Sequence, residues 1–135
     1  VIYLRRNHSE SMEWAFVQYL KARFPQVQMD DSIKYHKAIL LGKVFLGFSH
    51  GYKNSKNLPI NFAIKEAKLW GQAEHREIIS AHNHRGSTLQ GAIHRILPTR
   101  EKEGEYVEEN NFVSSHKSFQ LFEYSTDNIS AIYYV

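Results

Sequence analysis

The chain has 135 residues, of which 42 % are hydrophobic and 23 % charged, with three prolines and no cysteine. That composition fits one globular domain, residues 1–135, and it excludes disulfide frameworks, thiolate zinc sites, iron–sulfur clusters and cysteine nucleophiles. The formal charge is only +3, from 17 Lys and Arg against 14 Asp and Glu, with no polybasic block, so charge argues weakly for a nucleic-acid or phosphate partner. No stretch approaches the roughly 18 apolar residues of a membrane helix and no signal-peptide core is present, so no membrane partner and a cytoplasmic location are expected.

Residues 1–4, Val-Ile-Tyr-Leu, read as a buried strand that opens into Arg5-Arg6-Asn7-His8. Because the chain starts in what reads as mid-strand and without Met, it is expected to be the later part of something longer. Ser9-Glu10-Ser11 supplies a capping hydroxyl and an early acid for a helix carrying Trp14, Phe16, Val17, Leu20 and Phe24, which Pro25 closes. A weak strand over 33–40 and a stronger one over 44–48 flank Gly42-Lys43 as a hairpin, the second ending at Ser49-His50-Gly51.

After a polar loop over 52–57, Pro59 suits the first turn of a second helix through Phe62, Leu69 and Trp70, with Gly71 as its C-cap. Ile78-Ile79-Ser80-Ala81 is a short core strand ending at His82-Asn83-His84; residues 89–97 are another strand candidate and 101–105 a charged turn. Residues 119–124 and 129–135, around Ser125-Thr126-Asp127-Asn128, read as a terminal hairpin. Trp14, Phe16, Phe24, Phe62 and Trp70 are expected in the core. His36, His75, His94 and His116 have no strand-end motif and are expected to be packing or surface residues.

The histidines carry most of the information. Three strands, ending near Leu4, Phe48 and Ala81, each deliver a histidine at the C-terminal end: Asn7-His8, His50, and His82-x-His84. In layered α/β folds ligands bind at such ends, where loops converge over a rigid sheet. One H-x-H pair means little; three such strand ends in series point to a site. Lys53, Lys56, Arg85 and Arg100 lie near these loops, and Arg85, beside His84, is the best placed for a phosphate.

Arg6-Asn7-His8-Ser9, Gly47-Phe48-Ser49-His50-Gly51 and Ala81-His82-Asn83-His84 resemble, in order and spacing, the G-N-H-D/E, isolated-His and G-H-x-H motifs of the second half of calcineurin-like metallophosphoesterases, with a tail like that of small phage-type members. The resemblance implies an α/β fold, the C-terminal part of a metallophosphoesterase β-sandwich flanked by helices. It implies that Asn7, His50 and His82 ligate one metal and His84 another, with His8 a catalytic residue facing the scissile phosphate. It further implies a phosphoester substrate, with nucleic acid or nucleotides preferred, and two divalent ions of the Mn, Fe, Zn or Ni type.

Four positions depart from those motifs: Arg6 and Ala81 stand where glycines are expected, Ser9 where a carboxylate would orient His8, and Tyr52 where an aspartate often follows the H-G pair. The D-x-H and G-D-x-x-D motifs of the first half are not in these 135 residues. Two expectations stay open. In one, a missing N-terminal half or a homo-oligomer completes an enzyme; in the other, the chain is a degenerate, non-catalytic binding domain.

Overall fold

The computed structural model describes residues 1–4, 10–51, 57–81, 87–89, 91–97 and 119–135, with 10, 11 and 87–89 described by their backbone alone. The fold is mixed α/β. Helix α1 (Glu10–Arg23) precedes a hairpin of β1 (His36–Leu41) and β2 (Val44–Ser49), then α2 (Leu58–Lys65) and α3 (Ala67–Gln72) lead into β3 (His75–Ser80). Strands β4 (Ser87–Leu89), β5 (Ala92–Ile96), β6 (Gln120–Tyr124) and β7 (Ile129–Tyr134) follow. Five strands form one sheet in the order β1-β2-β3-β5-β4, in which β2, β3 and β5 are parallel and β1 and β4 are antiparallel edges. Strands β6 and β7 make a separate antiparallel pair. No described helix is long and apolar enough to cross a membrane.

The run Val-Phe-Leu-Gly-Phe-Ser buries five of its six residues, the pattern of a central strand covered on both faces. A parallel neighbour needs a crossover, and α2 and α3 supply it between β2 and β3. Along each strand alternate residues face opposite ways, so Phe45, Ile78 and Ala92 meet Leu58, Phe62 and Ala73 in one apolar cluster. Phe45 takes Phe62 and Trp70 edge-on, with ring centroids 5.8 and 5.0 Å away. Gly47 is the close-approach point of this layer: a Cβ there would lie 3.0 Å from the Phe62 ring. Arg76 donates from Nη2 to the carbonyls of Trp70 and Ala73, at 2.9 and 2.7 Å, and so closes the C-terminal end of α3.

The other face is held by charge. Glu77 is fully buried, and its carboxylate accepts hydrogen bonds from Arg95 Nε (2.7 Å) and Nη2 (3.0 Å) and from the Tyr124 hydroxyl (2.9 Å), with His75 Nε2 at 2.7 Å. Burial alone would raise the carboxyl's pKa, but the bonds from Arg95, His75 and Tyr124 outweigh it and hold the pKa below its ordinary value. The Tyr124 phenol is pushed up by the same burial and by the neighbouring carboxylate. Tyr124 belongs to β6, so this one carboxylate fastens the terminal hairpin to β3 and β5. Further along the same face, buried Lys37 donates to the Asp30 carbonyl and Oδ1, both at 2.9 Å, and lies over the Tyr3 ring. Bonds from Ser32 and Lys37 hold the Asp30 carboxyl at about 2 against partial burial.

Four expectations are corrected. Residues 1–4 are no sheet strand: Ile2 makes an isolated bridge to Asp30, and both sides of β3 are already filled by β2 and β5. On α1, Val17 is the buried apolar side chain, while Trp14, Phe16 and, just past the helix end, Phe24 are 43, 59 and 40 % exposed. At about 100° per residue Trp14 and Phe16 stand about 200° apart and cannot share a face. Gly71 lies inside α3, which ends at Gln72 with Ala73 as its C-cap, and the helical stretch breaks instead at Glu66. The single strand expected over 89–97 is β4 and β5, reversing at Gly91. The charged turn at 101–105 and His116 lie outside the described residues.

Removing one partner of a buried ion pair strands the other. Glu77→Ala is therefore expected to lower unfolding free energy in urea by about 3–5 kcal/mol, and a Glu77→Leu/Arg95→Met double variant to recover most of it. Because the Glu77 pKa is depressed on folding, its contribution is present above the ordinary value of 4.5 and is lost as pH falls through the lower folded value. Wild type is expected to lose stability with acid in that window more steeply than the double variant, as read by urea midpoints between pH 5 and 3.

Candidate functional site

The parallel strands β2 and β3 stand in register from Val44↔His75 to Ser49↔Ser80, so both end at the same level of the same sheet edge. From that edge the chain continues into His50-Gly51 on one side and into Ala81 and then 82–84 on the other. Gly51 has φ +83°, in the region where only glycine sits without strain, and a Cβ on it would collide with the Ala81 carbonyl oxygen. Its N–H donates to Ser49 Oγ at 3.2 Å, which closes a tight turn carrying the half-buried His50. The turn after β2 is thereby pressed onto the end of β3.

A second fixture lies one layer below. Ser80 and His94 are both buried, and Ser80 Oγ is 2.7 Å from His94 Nε2. Burial lowers the His94 pKa, which keeps the imidazole neutral at pH 7. The Leu97 N–H donates to the Ser80 carbonyl at 2.7 Å, so the ends of β3 and β5 are also tied. His94 is thus a satisfied core histidine, as its lack of a strand-end motif implied. His75 pairs with Glu77, and His36 lies edge-on to Phe62 at 5.6 Å.

Of the five residues singled out from the sequence, the structure places one. His50 sits at the end of β2, beside the end of β3. Asn7, His8, His82 and His84 lie outside the described residues, as do Lys53, Lys56, Arg85 and Arg100. Among the described residues no group of three or more His, Cys, Asp or Glu could hold a metal ion. The buried carboxylate Glu77 points to the other face of the sheet and is committed to Arg95, Tyr124 and His75. The described residues therefore do not make up a metal centre by themselves; His50 is a nitrogen donor of the right type and in a strand-end position for one.

Two features escaped the sequence. The strand carrying Glu77 begins at His75 rather than Ile78, and a lone acid inside an apolar strand was the available signal for the ion-pair cluster. The other is a cleft of about 280 Å³ at the start of β1, where Lys34, Tyr35 and His36 face Asn61, Phe62 and Lys65 of α2. Because β1 runs antiparallel to β2, with His36 paired to Ser49, this cleft opens at the same sheet edge as His50. Lys-Tyr-His in sequence is too common a triplet to announce it.

No protein-family model, no curated protein and no solved structure matches the chain.

Two glycine substitutions separate the strained turn from the rest. Gly51→Ala is expected to cost about 1–3 kcal/mol through backbone strain and the collision with Ala81. Gly71→Ala, in a helix with open space around the new Cβ, is expected to gain about 0.5–1 kcal/mol. Urea denaturation of the two variants checks both signs.

Proposed function

We propose that this chain carries part of a metal-dependent phosphoesterase site at the C-terminal ends of β2 and β3 and acts on phosphodiesters or phosphomonoesters of nucleic-acid or nucleotide type. The observation supporting this reading is the in-register parallel pair, which brings His50 and Ala81, the residue before His82-x-His84 in the sequence, to one point of one edge. Divalent ions held there would supply charge for the phosphoryl oxygens and a hydroxide at neutral pH. The chain's own part would be to hold them through Asn7, His50, His82 and His84, and to place the His8 imidazole against the leaving-group oxygen, where it can donate a proton. The carboxylates such a site requires would come from an N-terminal segment or from a second copy of this chain.

A second reading, a degenerate domain that binds without turnover, draws support from Glu77. This buried carboxylate is spent on fastening the hairpin, and Ser9 stands where an acid would orient His8.

Hydrolysis of bis(p-nitrophenyl) phosphate with Mn²⁺, alongside elemental analysis of bound metal, decides between them. The enzyme reading expects wild type to retain Mn²⁺ and turn over, His50→Ala to lose metal and activity together, and His8→Ala to keep its metal while turnover falls about 100-fold. A folded wild-type chain that retains no Mn²⁺ and hydrolyses nothing contradicts a site completed by a second copy of this chain, and the same result with an N-terminal segment supplying the missing carboxylates favours the binding domain. Equal rates on phosphopeptide and nucleotide substrates would remove the nucleic-acid preference.

A further inference from the structure

The cleft between the start of β1 and α2 has the chemistry of a nucleotide subsite. Its floor is aromatic: the buried Phe62 ring carries His36 edge-on at 5.6 Å, and Tyr35, 52 % exposed, stands at the rim. Its walls are mostly cationic, with Lys34 on the strand side and Lys65 on the helix side, opposed by the single carboxylate of Glu66. Burial and the nearby Lys65 ammonium both lower the His36 pKa, which favours the neutral imidazole. Asn61 adds an amide that can both donate and accept.

A flat ring of mixed donors and acceptors attached to an anion satisfies all of these groups at once. An apolar ligand would leave two ammonium groups and an amide unused, and a bare anion would leave the aromatic floor unused. At about 280 Å³ the cleft lies just below the usual range of ligand pockets, which starts at about 300 Å³, so it fits one nucleotide unit rather than a long segment.

We propose that the cleft formed by Lys34, Tyr35, His36, Asn61, Phe62 and Lys65 binds one nucleotide of a single-stranded nucleic acid, its base on the aromatic side and its phosphate between the two lysines. The inference deepens the phosphoesterase reading and rests on it for where the reacting phosphate would lie: His36 pairs with Ser49, so the adjoining phosphate would run along the edge toward His50. Binding in the cleft itself needs no metal.

The test is fluorescence anisotropy with a 5′-labelled oligothymidylate in EDTA, with inorganic phosphate as competitor. The altered side chains are rim residues: Lys34 and Lys65 are exposed, and so is Tyr35. Lys34→Ala/Lys65→Ala is expected to weaken oligothymidylate binding about tenfold or more and to flatten its salt dependence by roughly 0.7 in log–log slope, the share of the one phosphate held between the two lysines. Tyr35→Ala is expected to weaken oligothymidylate roughly tenfold while leaving the phosphate inhibition constant unchanged, because only the base uses the ring. Unchanged oligothymidylate affinity in both variants would overturn the proposal. So would equal loss of oligothymidylate and phosphate in Tyr35→Ala, which would mark a plain anion site. Mn²⁺ retention is expected to stay at the wild-type level in all three lysine and tyrosine changes. If oligothymidylate binding behaves as expected while wild type retains no Mn²⁺, the cleft stands and only a phosphoesterase site completed by copies of this chain fails.

Discussion

Everything at the candidate site depends on two neighbouring parallel strands ending at the same level. In an antiparallel pair, one strand's end lies beside the other's beginning, and the residues after β2 and β3 would leave from opposite edges of the sheet. The crossover through α2 and α3 makes the pair parallel, and the register from Val44↔His75 to Ser49↔Ser80 leaves no offset between their ends. Gly51 then fixes the turn after β2 against the Ala81 carbonyl, a contact that a side chain would prevent. A chemically useful edge thus follows from backbone constraints, with the apolar layer of Phe45, Phe62, Ile78 and Trp70 keeping it rigid from below.

The opposite face solves a different problem with different means. A carboxylate as buried as Glu77 persists only when its charge is met, and Arg95 and Tyr124 meet it from two other strands. The attraction adds little net stability over a well-packed apolar replacement, yet the bond from Tyr124 ties β6, and with it β7, to this side of the sheet. Lys37 plays the same part for residues 1–4 and Asp30. The sheet is therefore apolar toward α2 and α3 and electrostatically addressed on the side where the two ends of the chain return.

Sequence reasoning recovered what periodicity and turn chemistry encode. The hairpin across Gly42-Lys43, the helix opened by Pro59, the strand through Ile78 and the terminal hairpin all stand close to where their patterns put them. It missed where tertiary partners decide. Residues 1–4 have a strand's composition but find Asp30 rather than a sheet edge, and the aromatic residues of α1 are spread around the helix, so most stay exposed. The place of His50 at a strand end was legible because an apolar strand followed by His-Gly is local information. Glu77 and the Lys34–Lys65 cleft were not, since each is assembled from segments far apart in the chain.

Ring ¹⁵N chemical shifts of the histidines during a Zn²⁺ titration test the central claim most directly, since the chain has no thiol to compete for the ion. The account predicts that His50, His82 and His84 shift together at low Zn²⁺ while His75, held against Glu77, does not. A titration in which His50 stays unmoved, or in which all histidines respond alike and only at high Zn²⁺, would contradict it.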